Sequence, residues 1–213
     1  ILIRMKEKIA LVTAGGDIPP FHAAMKKMHE TLRVKAPGRF ELVGAFGGFS
    51  GLEKGLFVPV RDKEIDENRA GSFIGCDRKV AEPEKIVKSL RDNNVYALVV
   101  MGGDNHLGEG AKLYREHGVS VVGYPKTIDE DLSSLITLGW ETAVTTASKA
   151  IRNHYNTAIT SRKVFFAPIF GRNTDWNIAA VMLYSGAGFA IPCEEEYSWD
   201  FIAERIRQDI EEN

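Results

Sequence analysis

This chain of 213 residues has only two cysteines, Cys76 and Cys193, and no metal-ligand spacing joins them. A disulfide-dense framework and a cysteine metal centre are therefore both excluded, and a reducing compartment, the cytoplasm, is the simple expectation. No apolar run approaches the ~20 residues that span a bilayer, so no membrane partner is expected. Neither sign of charge dominates: 27 basic residues, spread along the chain, face 29 acidic ones. The net charge of −2 gives no reason to expect nucleic acid or an anionic membrane surface as a partner. Internal repeats and low-complexity tracts are absent as well. The glycine loop after the first apolar run lacks both the Lys-Ser/Thr ending of a Walker loop and the third glycine of a dinucleotide fingerprint.

What the chain does have is two hydrophobic runs that end alike. Ala97–Met101 stops at Gly102 and Gly103 and spills into Asp104, Asn105 and His106. Val119–Tyr124 stops at Pro125, Lys126, Thr127 and Ile128 and spills into Asp129, Glu130 and Asp131. At the carboxyl edge of a parallel sheet, such junctions are where ligands of open α/β proteins bind. Glycine backbone or a lysine beside carboxylates can handle an anion together with its metal ion, which points first to phosphate chemistry.

The remaining pattern supplies the sheet. Lys8–Thr13 reads as a strand, and a helix starts near Phe21 with Ala24, Met25, Met28 and Leu32 on its apolar stripe. Phe40–Gly44 is the next strand, the glycine-dense stretch Gly44–Gly55 reads as a loop, and Phe57–Val60 as a short extended piece whose proline argues for an edge. Helices are predicted over Glu82–Asn93 and Leu107–His117, the latter ended by Gly118. Strands alternating with helices of this length predict an α/β fold with a mainly parallel sheet. Beyond Leu138 the pattern shifts to a helix over Thr142–Ile159, a strand over Lys163–Phe170 and a helix over Asn173–Tyr184. A strand over Phe189–Pro192 and a charged amphipathic helix over Ser198–Glu212 follow. The expected division is a lobe over 1–139 and a second, partial lobe over 140–213, whose two strands are too few for a self-standing sheet.

Each motif has a chemical and a plain structural reading. Gly15 and Gly16, just ahead of a helix amino end, can seat an anion or simply make a turn. His22 is better read as a partly buried helix residue than as a ligand. Asp104 can hold Mg²⁺, directly or through water, or cap its helix. The cluster Asp129, Glu130 and Asp131 beside Lys126 can divide proton acceptance and metal steering between carboxylates, or be a solvated acidic turn. If that segment is extended, Asp129 and Asp131 share a face.

In order, these segments resemble the phosphofructokinase A family, the ATP- and pyrophosphate-dependent 6-phosphofructokinases. The resemblance runs through Gly15-Gly16-Asp17-Ile18-Pro19, Gly102-Gly103-Asp104 and Pro125-Lys126-Thr127-Ile128-Asp129-Glu130-Asp131. It continues through Gly139-Trp140-Glu141-Thr142-Ala143, Phe170-Gly171-Arg172 and Pro192-Cys193-Glu194, covering the chain from Lys8. It implies a phosphofructokinase-like two-lobe fold, with a phosphoryl-donor and Mg-binding lobe over 1–139. Residues 140–213 would be part of a sugar-phosphate lobe that is incomplete in this chain, since family chains continue for ~80 residues more, much of a small domain.

The resemblance also implies phosphoryl transfer to the 1-hydroxyl of fructose 6-phosphate, with Asp129 as general base and Lys126 and Arg172 in the catalytic set. Thr127, Asp131, Gly171, Phe170, Arg162, Lys163 and Glu194 would meet the sugar phosphate. Gly15, Gly16, Arg78, Gly103 and Asn105 would meet the donor, and Asp104 would hold Mg²⁺. A cation near Arg162 and Lys163 that reaches a neighbouring subunit implies a homo-oligomer, a dimer or tetramer.

Two positions bear on the donor. ATP users of the family carry glycine where this chain has Asn105 and Lys126, and pyrophosphate users carry aspartate and lysine. Asn105 would obstruct a nucleotide α-phosphate, and Lys126 would neutralise compact pyrophosphate, so pyrophosphate is the expected donor. Departures at Pro20, His22, His106, Glu130 and Phe170 motivate an alternative, a catalytically weakened regulatory or binding subunit. An ATP-dependent 6-phosphofructokinase, or a different sugar-phosphate acceptor, is a further alternative.

Overall fold

The computed structural model describes residues 6–16, 20–79, 82–130, 132, 138–171 and 174–212. It divides into two compact units, Ile1–Lys126 and Thr127–Asn213.

The first unit is built on a five-stranded sheet, ordered β3-β2-β1-β4-β5. Its strands are β1 (Glu7–Thr13), β2 (Phe40–Ala45), β3 (Phe57–Pro59), β4 (Val95–Gly102) and β5 (Val121–Pro125). All neighbouring pairs are parallel except β2 with β3, which is antiparallel. The apolar runs of β1 and β4 become the middle of the sheet, with Leu11, Val12, Leu98 and Val100 fully buried. Near-continuous apolar sequence is what a strand covered on both faces requires. Proline-bearing β3 lies at the edge, where a missing ladder donor does no harm.

Three helices link the parallel strands: α1 (Pro20–Lys35), α3 (Pro83–Asp92) and α4 (Asp104–His117). Their sequence signals are in place, with proline in the first turn of α3 and left-handed Gly118 closing α4. Ile86 and Leu90 of α3 and Leu113 of α4 join the core cluster with Ala10, Val43 and Leu98. Gly110 lets α4 approach the sheet closely, because a β-carbon there would lie 3.1 Å from Val100 and 3.2 Å from Val121.

The stretch expected as a loop at 44–55 instead contains α2 (Gly48–Glu53). A distant residue makes this helix. Asp77 takes the Phe49 amide on Oδ1 at 2.9 Å and the Ser50 amide on Oδ2 at 2.8 Å, satisfying donors that a short helix leaves unpaired. Phe49 and Leu52 are then fully buried in the core.

The second unit contains α5 (Trp140–Ser161), α6 (Trp176–Ser185) and α7 (Trp199–Glu212). Val144 of α5 meets Ala180 and Val181 of α6, with Trp140, Ala147, Ile151 and Ile169 packed around them. The strands expected over 163–170 and 189–192 are not formed: neither segment pairs in a ladder among the described residues. Val164, Phe165 and Phe166 stay exposed, as expected when strand-forming sequence has no neighbour to bond. No helix among the described residues is long and apolar enough to cross a membrane.

Candidate active site

The first group of candidate residues gathers at one edge of the first unit. Parallel pairing sets Thr13 beside Met101 and Gly102 beside Pro125, so β1, β4 and β5 end on neighbouring rungs. The order 3-2-1-4-5 makes the gap between β1 and β4 a topological switch point, where successive connections leave in opposite directions and open a crevice. Gly15 and Gly16 follow β1, Gly103 and Asp104 follow β4, and Lys126 follows β5.

Backbone bonds fix these ends. The Ala14 amide donates to the Met101 carbonyl at 2.9 Å and the Lys126 amide to the Gly102 carbonyl at 2.9 Å. The Gly15 amide donates to the Asp77 carbonyl at 2.8 Å, which draws the 71–78 turn, and with it exposed Arg78, to the end of β1. Gly15 holds φ +82°, a conformation glycine adopts without penalty.

Gly103, not Asp104, is the N-cap of α4; Asp104 is its first helical residue, and both Asp104 and Asn105 are exposed. His106 packs its ring against Phe49 at a centroid distance of 5.5 Å. Burial holds its pKa below the ordinary imidazole range, with Lys126 pushing the same way and Asp77 and Asp104 opposing. Lys126 is only 7% exposed. Its amine lies 5.9 Å from the centre of the Phe21 ring and 3.3 Å from where a β-carbon on Gly15 would sit. This edge thus offers the amino end of α4, glycine backbone, a carboxylate and a largely buried cation, parts able to grip a phosphorylated anion and its metal.

The second group lies in the second unit. Thr127 is buried, and its Oγ1 accepts the Asp129 amide at 3.0 Å, a local side-chain turn at the start of the acidic segment. Asp129 is partly exposed, and Glu130 holds φ +55°. Asp131 and Arg172 lie outside the described residues, as does any shared face of Asp129 and Asp131.

Phe170 is 83% exposed, and its carbonyl accepts Asn177 Nδ2 at 2.7 Å. Gly171 is exposed, and a β-carbon there would lie 2.9 Å from the Thr174 carbonyl, so the position has no room for a side chain as it stands. Arg162, left-handed at φ +50°, closes α5, and the Lys163 amide donates to the Ala158 carbonyl at 2.9 Å; both side chains are exposed.

Glu194 is held by a residue the sequence did not single out. Its Oε1 accepts the Asp175 amide at 2.7 Å, while Asp175 accepts the Cys193 and Glu194 amides at 2.7 and 3.0 Å. Desolvation pushes the Asp175 pKa up, but those two amides outweigh it and hold the carboxyl below its usual range. Asp77 and Asp175, both missed, bond partners 18 to 28 residues away, and no local pattern announces such pairs.

For Mg²⁺, the described residues at the first edge offer the exposed carboxylate of Asp104. That fits a cation that keeps water and takes most of its oxygens from substrate phosphates. Among the described residues no cluster of three or more His, Cys, Asp or Glu encloses a site.

The profile of the family described as Phosphofructokinase matches residues 8–213. The chain belongs to the phosphofructokinase family. A relative from Streptococcus pyogenes serotype M5, named ATP-dependent 6-phosphofructokinase, is 32% identical over an alignment of 213 positions that covers 96% of this chain and 62% of that relative. This phosphofructokinase-family chain therefore spans about three-fifths of the length of the curated relatives it matches. Its fold is shared with pyrophosphate-dependent phosphofructokinase from Marinobacter aquaeolei, at TM-score 0.80 and 21% identity over 96% of this chain and 57% of that one. It is shared too with Pichia pastoris phosphofructokinase in the T-state, at TM-score 0.79 and 20% identity over 97% of this chain and 24% of that one.

Proposed function

We propose that this chain serves a 6-phosphofructokinase that transfers a phosphoryl group from pyrophosphate to the 1-hydroxyl of fructose 6-phosphate, yielding fructose 1,6-bisphosphate for glycolysis. Residues 1–139 act on the donor and Mg²⁺, and residues 140–213, together with the Thr127–Asp131 segment, on the sugar phosphate. The observation that carries the donor assignment is the Lys126 amine seated beside Gly15 at the phosphate-gripping edge. A second positive charge suits a small anion whose charge is concentrated on two phosphates. Asn105, in the first turn of α4, takes up room an α-phosphate and its nucleoside need.

In this reading Asp129 takes the proton as the substrate 1-oxygen bonds to phosphorus and the bridging P–O bond of pyrophosphate breaks, releasing orthophosphate. Lys126 and Arg172 neutralise charge that spreads over the moving phosphoryl oxygens, the main catalytic contribution in such reactions. Asp104 would hold Mg²⁺, which when bound would supply further neutralisation. Gly15, Gly16, Arg78, Gly103 and Asn105 hold the donor, while Thr127, Asp131, Phe170, Gly171 and Glu194 orient the acceptor. Arg162 and Lys163 reach the sugar phosphate of a neighbouring copy in a homo-oligomer.

A second reading, ATP as donor, is favoured by the name of the 32% identical Streptococcus relatives. Assay of the intact protein with fructose 6-phosphate, Mg²⁺ and each donor decides between them. Pyrophosphate turnover well above ATP turnover supports the proposal, and the reverse overturns the donor. Sugar-phosphate binding with no turnover from either would leave a regulatory subunit.

A further inference from the structure

His22, on the first turn of α1, is 2% exposed and bonded at both ring nitrogens. The Phe73 amide donates to Nε2 at 3.0 Å. A backbone N–H can only donate, so Nε2 is the unprotonated nitrogen of a neutral ring. Nδ1 then carries the hydrogen and donates it to the Asp66 carbonyl, also at 3.0 Å. The ring lies 5.8 Å from the Phe73 ring, tilted by 39°. One side chain thereby ties α1 to two points of the segment between β3 and α3.

The second of those points lies in the turn that carries Arg78. Thr13, the last residue of β1, holds the same turn from the other side. Its Oγ1 donates to the Gly75 carbonyl at 2.6 Å and lies 3.0 Å from Ser72 Oγ. Beyond it, the Ile74 carbonyl accepts the Gly47 amide at 2.7 Å, and the Asp77 carbonyl accepts the Gly15 amide. Thr13 and His22 bracket the glycine loop in sequence, and both reach the 72–78 turn. An apolar residue at 22 could fill the same core volume, but it would leave the Phe73 amide without this acceptor. Backbone donors away from open solvent are rarely left so, and this bond is partly buried.

We propose that His22 is a positioning residue for the donor: through the Phe73 amide it fixes the 72–78 turn, and with it Arg78 and the bond between Gly15 and Asp77. The role rests on the phosphoryl-donor reading of this edge. It acts through backbone, and the imidazole itself touches no phosphate.

Two substitutions separate the ring's two bonds. His22→Gln keeps an acceptor oxygen near the place of Nε2, and His22→Asn keeps a donor near the place of Nδ1. In the intact protein, hydrogen exchange across 72–78 should rise about tenfold in His22→Asn and stay within about twofold in His22→Gln. KM for pyrophosphate should follow the same split, with KM for fructose 6-phosphate unmoved in both. Equal exchange in the two variants, or a donor KM that tracks only their melting temperatures, would show that the ring merely packs and would overturn the proposal. Should the unmodified protein not take pyrophosphate, the donor reading fails on its own account. The exchange comparison then still decides whether the imidazole fixes the turn.

Discussion

The amine of Lys126 lies 3.3 Å from the point where a β-carbon on Gly15 would sit. Lys126 leaves the end of β5 and is bonded by backbone to Gly102 at the end of β4, so its side chain crosses one strand end to reach the loop after β1. The closeness of the two residues makes Gly15 sensitive twice over. Gly15→Ala forces a left-handed φ of +82° on a residue with a β-carbon, at about 1–2 kcal/mol, and also pushes the amine away. The expected result is a KM for pyrophosphate raised about tenfold, with KM for fructose 6-phosphate unchanged, measured by steady-state kinetics.

Donor preference should move when the side chain that obstructs a nucleotide and the cation that suits pyrophosphate are removed together. Asn105→Gly with Lys126→Gly clears the first turn of α4 and withdraws the cation beside Gly15. The ratio of kcat/KM for ATP over pyrophosphate should rise by about 10–200-fold, the range over which pocket contacts discriminate related substrates. An unmoved ratio would mean that neither residue reads the donor.

Asp129→Asn should lower kcat at least ~10²-fold while leaving substrate binding in place, the lower range for losing a general base. Thr127→Val tests the turn behind it. It removes the oxygen that accepts the Asp129 amide and should cut kcat by about tenfold, the equivalent of one hydrogen bond misplacing the carboxylate. Equal kcat in Thr127→Val and the unmodified protein would separate Thr127 from that role.

These residues differ in how openly the sequence displays them. The ends of β1, β4 and β5 are legible because a strand buried on both faces writes itself as a continuous apolar run, and Gly102 and Asp104 mark where it stops. Helix α2 is not legible: Gly47, Gly48 and Gly51 read as a loop, and the carboxylate that caps it belongs to Asp77. The segments at 163–170 and 189–192 have strand composition, but composition cannot supply a ladder partner. Glu194 was reached only through family resemblance, and its clasp by Asp175 joins residues 19 apart that share no periodic pattern.

The capping of α2 gives a stability test free of catalysis. Asp77→Ala removes the acceptor of two helix amides at once, so unfolding free energy should fall by about 1–2 kcal/mol, the usual range for losing an N-terminal cap. Denaturant melts check it. Asp77→Asn should recover part of the loss, because its amide oxygen can still accept one of the two bonds.

Glu53, at the other end of α2, should give the first unit an acid-sensitive contact. Its side chain is 4% exposed, paired with the Lys79 ammonium, and accepts the Glu82 amide at 2.7 Å. Burial pushes the carboxyl pKa up, but Lys79 and the Glu82 amide outweigh it, and the folded-state value lies below the ordinary 4.5. Between the folded and unfolded values the unfolded chain binds more protons, so stability rises with pH across that interval. The contribution is complete above pH 4.5 and is lost as pH falls through the folded value. Glu53→Gln should therefore cost about 1.5–3 kcal/mol at pH 7, the range for a hydrogen bond to a charged group. In urea melts the gap between the two proteins should narrow steadily below pH 4.5. A gap that stays constant down to pH 3 would mean that the ionised carboxylate contributes nothing beyond its shape.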